Sequence, residues 1–252
     1  MRNLKVMMAY RGTAYHGFQI QNNANTIQAV VERCVGKVLN EPVTIQGCSR
    51  TDAGVHARQY CFSVQTESRI APLGFVRGVN GELPKDISIL SCEDADPDFH
   101  ARFSCVGKRY VYRIHCSESK DPFTTDLALH YRRPFRPDLV REAAQHFVGE
   151  HDFRAFCSNC AENTNTIRHI HSFDVEIDGE EVKMLVKGNG FLYNMVRILV
   201  GTLLDVNEGR IGVDELDGIM AAGKRVLAGR TALPHGLYLD RVYYTDEEML
   251  SD

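Results

Sequence analysis

Gly47-Cys48-Ser49-Arg50-Thr51-Asp52-Ala53-Gly54-Val55-His56-Ala57 is the most unusual stretch of this 252-residue chain. Two runs that read as strands flank it. Val43 to Cys48 is one; in the other, Tyr60, Phe62 and Val64 alternate with Cys61, Ser63 and Gln65. The loop between them, residues 47–58, holds one acid, Asp52, between Arg50 and Arg58. A small residue and a glycine follow the acid, so the backbone can approach a ligand closely. Arg50 and Asp52 share a side if the chain is extended there. An arginine beside a carboxylate holds it ionised, and an ionised, shielded aspartate can serve as nucleophile or general base. The same residues also suit a plain turn in which Asp52 bonds local amides.

Outward from this loop, Leu4 to Tyr10 reads as a strand and Arg11 to Gly17 as a loop. Asn25 or Thr26 caps a helix whose stripe is Ile27, Val30, Val31, Cys34, Val35 and Val38. A helix around Leu73 to Val79 and a strand Ile87 to Ser91 follow. Glu93-Asp-Ala-Asp-Pro-Asp98 reads as an acidic connection, dividing the chain into domains 1–98 and 99–252. In the second half, Lys108 to Cys116 is a strand with Tyr110, Tyr112 and Ile114 on one face. Leu139 to Val148 reads as a helix, and Ile170 to Ile177 and Val182 to Lys187 as a hairpin across Asp178-Gly179. Phe191 to Val206 and Val213 to Ala222 read as helices, and Leu237 to Tyr244 as a closing strand. Strands and helices mix in both halves with antiparallel connections, so the fold class is α+β.

Composition narrows the function classes. Apolar residues make up 44% and charged residues 25%, as in ordinary globular proteins. The most apolar run, Gly190 to Val206, carries Asn194 and Arg197, and no run suits a membrane span. The N-terminus has no signal-peptide pattern, so a cytoplasmic protein is expected. Net charge is −4, unevenly distributed. Residues 1–136 carry 18 Lys and Arg against 13 Asp and Glu; the remainder carries 11 against 20. A polyanionic partner is compatible with this if the bases converge on one face. No P-loop and no GxGxxG is present, so no nucleotide cofactor is expected.

Eight cysteines are spread along the chain, and reduced thiols acting as small hydrophobes are expected for all of them. Cys157-Ser-Asn-Cys160 is a CxxC with His169 and His171 downstream, a spacing unlike common zinc patterns. No metal is expected there, and no βαβ context suggests redox chemistry.

The loop Ser49-Arg-Thr-Asp-Ala-Gly-Val-His56 closely resembles the catalytic loop of the tRNA pseudouridine synthase A family. Five further motifs resemble that family in order. They are Ala9-Tyr-Arg-Gly-Thr-Ala-Tyr-His-Gly-Phe-Gln19, Val79-Asn80 with Leu83-Pro84 and Asp86-Ile87, and Phe99-His-Ala-Arg-Phe-Ser104 with Lys108-Arg-Tyr-Val-Tyr-Arg113. Gly190-Phe-Leu-Tyr-Asn-Met-Val-Arg197 with Val200-Gly201, and Gly236-Leu-Tyr-Leu239, complete the set.

The resemblance implies two α+β halves whose antiparallel sheets join across a central cleft, and a homodimer that binds tRNA. It implies that uracil is detached from ribose, turned, and rejoined through C5, at positions 38–40 of the anticodon stem-loop, without a cofactor. By similarity Asp52 is the essential carboxylate, attacking sugar or base or abstracting a sugar proton. Arg50 matches the arginine that helps flip the base out of the stack. Tyr110 matches the tyrosine packed on the target base, and Arg197 the arginine that pairs with the aspartate. Leu237 or Leu239 lines the uracil pocket. Arg11, His16, Arg58, Arg77, Lys108, Arg109 and Arg168 lie in or near matching motifs and are candidate RNA contacts. An RNA-binding protein without catalysis is the rival reading, separated from the enzyme by the presence of Asp52 with Arg50 and Arg197. An aspartic protease would need a second catalytic loop, which the sequence lacks.

Overall fold

The computed structural model describes residues 1–160 and 165–252. The elements run β1 (Arg2–Tyr10), α1 (Ile27–Leu39), β2 (Gln46–Gly47), β3 (His56–Thr66), α2 (Pro72–Glu82) and β4 (Ile87–Ala95). They continue with β5 (Gly107–Cys116), β6 (Leu129–Tyr131), α3 (Pro137–Gln145), β7 (Gly149–Asp152), β8 (Ile167–Asp178) and β9 (Glu181–Gly188). The last are α4 (Met195–Asn207), α5 (Leu216–Ala222), β10 (Leu237–Tyr243) and α6 (Asp246–Leu250). The fold is α+β. The chain forms two compact units, 1–107 with 238–252, and 108–237.

In the first unit the strand order is β4-β1-β3-β10. β1 pairs antiparallel with β3 and β4, whereas β10 lies parallel to β3, with Tyr238 opposite His56 and Leu239 opposite Ala57. Inward residues of β1 and β3, among them Leu4, Val6, Met8, Phe62 and Val64, are buried, as the alternation requires. The stripe expected on α1 is buried at Ile27, Val30, Val31, Cys34 and Val35, while Val38 is half-buried at its edge. Thr26 is the cap: its hydroxyl accepts from Ala29 N–H at 3.4 Å. Thr26→Ala is expected to cost about 1 kcal/mol, read as a lower urea midpoint with unchanged slope.

Two expectations change here. The strand expected at Val43 to Cys48 pairs only at Gln46 and Gly47, against Ser63 and Phe62. The acidic run after Ile87 is not a plain connection, because β4 continues to Ala95. Lys5 pairs with Glu93 at 2.9 Å and Arg2 with Asp94, so the charges zip the strand edge to β1.

In the second unit the order is β5-β9-β8-β7, antiparallel throughout, with β6 parallel to β5. The β8–β9 hairpin closes across Gly179-Glu180 between the paired Asp178 and Glu181, and Gly179 takes φ +57° as such turns demand. The helix expected from Phe191 starts only at Met195, because Asn194 is left-handed (φ +60°) and residues 190–194 are loop. The helix expected at Val213 is a 3₁₀ turn as far as Glu215 and becomes α at Leu216.

Every residue of α4 except Arg197 is buried, including Asp205. Gly201 permits this packing, since a Cβ there would lie 1.7 Å from the Arg230 carbonyl oxygen. At the helix end Arg210 reaches Asp205 at 2.6 Å and Arg230 reaches Glu208 at 2.7 Å. Burial pushes the Glu208 carboxyl up, but Arg230 and Arg210 outweigh it and hold it below its ordinary range.

One cysteine expectation is overturned. Cys157 and Cys160 form a disulfide, their Cα atoms 5.9 Å apart, and only the other six are free thiols. A two-residue spacing with a turn between brings the two sulfurs within bonding range.

Candidate active site

The loop around Asp52 is held by a second loop, residues 11–18, that leaves β1. Thr51 is buried, with its Oγ1 2.8 Å from Tyr10 Oη and its carbonyl accepting from Phe18 N–H at 3.1 Å. The Asp52 carbonyl accepts from Val55 N–H at 3.1 Å, closing a four-residue turn. Gly54 takes φ +78°, the left-handed third position that a type II turn requires. Gly54 N–H reaches the Tyr15 carbonyl at 3.2 Å, and Gly12 N–H donates to His56 Nδ1 at 3.0 Å. The turn is closed by the main-chain carbonyl of Asp52, not by its side chain, and it fixes the backbone around the acid.

Close packing holds the two loops together. A Cβ on Gly12 would lie 1.9 Å from the Val55 carbonyl oxygen, and one on Gly17 (φ +86°) 2.6 Å from that of Thr51. Tyr60 Oη donates to the Ser49 carbonyl, and its ring stacks on Phe18 at 4.5 Å. Burial and a 2.8 Å bond to Asp86 push the Tyr15 phenol up, so it stays a neutral donor.

Asp52 itself is half-buried at the apex of the turn, and Arg50 is exposed on the same loop. Arg58, at the start of β3, lies over the Tyr238 ring at 5.2 Å and 3.4 Å from Asp240. Its side chain is still 48% exposed, leaving part of the guanidinium for solvent or ligand. Arg11 and His16 are exposed on the clamping loop. Arg77 is exposed on α2, outside the interlocked loops.

In the second unit Tyr110 and Tyr112 share a buried face of β5. Tyr112 is core, with its hydroxyl donating to the Leu233 carbonyl at 2.8 Å. Tyr110 meets Phe191 edge-on at 5.1 Å. Arg197 stands in the first turn of α4. Its Nε donates to the Ala232 carbonyl at 2.8 Å and its Nη1 to Asn194 Oδ1 at 2.9 Å. Ala232 N–H in turn donates to the Arg197 carbonyl at 2.9 Å. Arg197 is thus fixed at both the side chain and the backbone.

Lys108 and Arg109 are half-buried on β5. Arg168 on β8 donates to the carbonyls of Asn165 at 3.0 Å and Ile167 at 2.6 Å, and burial lowers its pKa. Leu237 is buried at the start of β10, and Leu239 has no exposed surface.

Gly12, Gly17, Thr51 and Asn194 lie within the quoted motifs but are not singled out there as site residues. The roles of Gly12, Gly17 and Asn194 depend on backbone approach and on φ, and that of Thr51 on a hydroxyl contact to a distant tyrosine, which side-chain type alone does not announce. Among the described residues no group of three or more His, Cys, Asp or Glu could hold a metal ion. His169 and His171 lie ring to ring at 4.5 Å. No helix is long and apolar enough to cross a membrane among the described residues.

The Asp52 turn is thus a half-buried carboxylate on a backbone held by a second loop. A family profile described as tRNA pseudouridine synthase matches residues 6–104 and 143–245. The chain belongs to this family and is an isomerase.

Curated relatives named tRNA pseudouridine synthase A align end to end. That of Ruminiclostridium cellulolyticum is 41% identical over 97% of this chain and all of its own. Those of Acetivibrio thermocellus and Listeria innocua are 42% and 41% identical, with the same shares covered. Among solved structures, a Cbf5-Nop10-Gar1 complex aligns at 12% identity over 96% of this chain and 59% of that one, with a TM-score of 0.38.

Proposed function

We propose that this chain isomerises uridine to pseudouridine in the anticodon stem-loop of tRNA, at positions 38–40, with Asp52 as the essential carboxylate. The observation that carries this reading is the clamp on the Asp52 turn, in which Thr51 and Gly54 are each bonded to the 10–18 segment. A carboxylate so fixed meets a bound sugar or base without reorganising, which is where catalytic advantage arises. The N1–C1′ bond breaks, a C5–C1′ bond forms, the C5 hydrogen leaves as a proton and N1 regains one. No electrons leave the substrate, so no redox cofactor is called for.

A uridine in a stem must be extruded to be reached. In this reading exposed Arg50 enters the vacated stack, Tyr110 packs on the flipped base and Leu237 lines its pocket. Arg197 is the cationic partner of Asp52. Arg11, His16, Arg58, Arg77, Lys108, Arg109 and Arg168 contact the RNA backbone. The protein works in the cytoplasm as a homodimer, with catalysis and RNA contact divided between residues 1–98 and 99–252.

Release of tritium from C5-labelled uridine in unmodified tRNA tests the chemistry directly, because rejoining at C5 expels that hydrogen. Release by wild type is expected. None from a folded protein that still binds tRNA would favour binding without catalysis. Charge removal at Arg58, Arg109 and Arg168 tests the RNA face. Neutralising any one phosphate-binding cation should weaken tRNA binding across sequences and reduce the salt slope by about one. Wild-type affinity of the triple variant at both low and high salt would count against those contacts.

A further inference from the structure

The Cys157–Cys160 pair takes no part in the isomerase chemistry, yet it adjoins the residues that hold Arg197. The two cysteines are joined by a disulfide across Ser158 and Asn159. Ser158 N–H donates to the Tyr193 carbonyl at 3.1 Å. The next residue, Asn194, is left-handed, and its Oδ1 accepts from Arg197 Nη1 at 2.9 Å. One backbone bond, one peptide link and one side-chain bond therefore connect the disulfide loop to the guanidinium.

We propose that Cys157 and Cys160 form a reversible dithiol–disulfide modification site, whose redox partner is a small or protein dithiol and whose state sets the position of Arg197. The effect on Arg197 rests on the isomerase reading for its activity readout; the modification site does not.

The bond closes a very short loop and so removes little entropy from the unfolded chain, which makes its effect local. Asn159 takes the left-handed φ of +54° inside the closed ring. Once the ring opens, the Ser158–Asn159 turn loses its covalent closure and the Ser158 amide is free to leave Tyr193. Asn194 then loses an anchor, and so does Arg197.

Access is asymmetric as well. Cys157 is buried and Cys160 is partly exposed. An incoming thiolate attacks the Cys160 sulfur, and Cys157 leaves as a thiolate that takes up a proton. The reagent's second thiol then attacks its own sulfur in the mixed disulfide and releases Cys160. Two electrons and two protons pass to the pair, and the dithiol becomes a disulfide. A disulfide of the same class reverses the reaction.

The test uses the full chain equilibrated in oxidised and reduced dithiothreitol, then denatured, alkylated and weighed. Six alkylated cysteines are expected at the oxidising end and all eight at the reducing end, the difference mapping to Cys157 and Cys160. In parallel, reduction should lower kcat for tritium release by roughly tenfold at unchanged KM, with the midpoint of the thiol count. Cys160→Ser should stay at the reduced rate in every buffer. Eight alkylated cysteines throughout would overturn the proposal, as would a kcat indifferent to the switch. If no tRNA supports isomerisation, amide hydrogen exchange at Ser158 decides instead. Faster exchange in the reduced form sustains the proposal, and equal exchange overturns it.

Discussion

Asp52→Asn is expected to leave a folded, tRNA-binding protein whose kcat for tritium release falls by roughly 10⁴-fold or more. Asparagine keeps the shape of the side chain and its hydrogen-bonding capacity but removes the charge and the basicity. Every role open to the carboxylate, attack on sugar, attack on base or proton abstraction, needs one of those two. Stability should change by less than about 1 kcal/mol, because the side chain is half-exposed and the turn is held by backbone atoms. Affinity for tRNA should hold or improve, since an anion is being removed from the loop proposed to face the RNA. Residual turnover above a tenth of wild type, in protein free of wild-type contamination, would remove Asp52 from the centre of the reaction.

Gly12→Ala is expected to strike both stability and catalysis. The new methyl would lie 1.9 Å from the Val55 carbonyl oxygen and 2.7 Å from its carbon. Both are backbone atoms, so no rotamer change relieves the clash. One loop must move, at a cost of about 3 kcal/mol or more. For a chain of this size that lowers Tm by roughly 6–12 °C. Val55 closes the Asp52 turn, so its displacement also moves the carboxylate, and a shift of about 1 Å can cost about a hundredfold in rate. Tritium release well below the new Tm, compared with a thermal melt, separates the two effects. Gly201→Ala is the control: its 1.7 Å clash with Arg230 should lower Tm without the same loss of rate per degree. A wild-type melt for Gly12→Ala would show that the interlock of the two loops is looser than its geometry implies.

Sequence periodicity served well where one face of an element meets a core. The α1 stripe is of this kind, buried at every expected position but Val38, whereas β3 is covered on both faces, with Cys61 and Ser63 buried as well as Tyr60, Phe62 and Val64. It served poorly for α4, which is covered on all sides, so that apolar residues before it read as helix too. Only the left-handed Asn194 marks the true start, and no composition rule locates it. The acidic run after Ile87 read as a connection because its partners, Lys5 and Arg2, lie some ninety residues away.

The Asp52 loop stood out through its own residues, whereas its clamp did not. Tyr10 holds it from a distant segment through its hydroxyl, and Gly12 and Gly17 by close backbone approach. Charge alone did not separate Arg58, which is set over Tyr238, from exposed Arg11 or Arg77. The disulfide escaped for a different reason: pairing depends on redox conditions that no sequence states.

Strand β10 carries a consequence for how the protein is made. The first unit takes its parallel strand from residues beyond 237, so its sheet stays open at His56 and Ala57 until that strand exists. At ordinary rates of synthesis the ribosome adds the intervening residues over roughly 10–40 s. Throughout that interval β3 offers unpaired amides and carbonyls next to the Asp52 loop, an edge open to mispairing or to chaperones. The strand that follows the Asp52 loop thus gains its parallel neighbour only after residues 108–237 have been made.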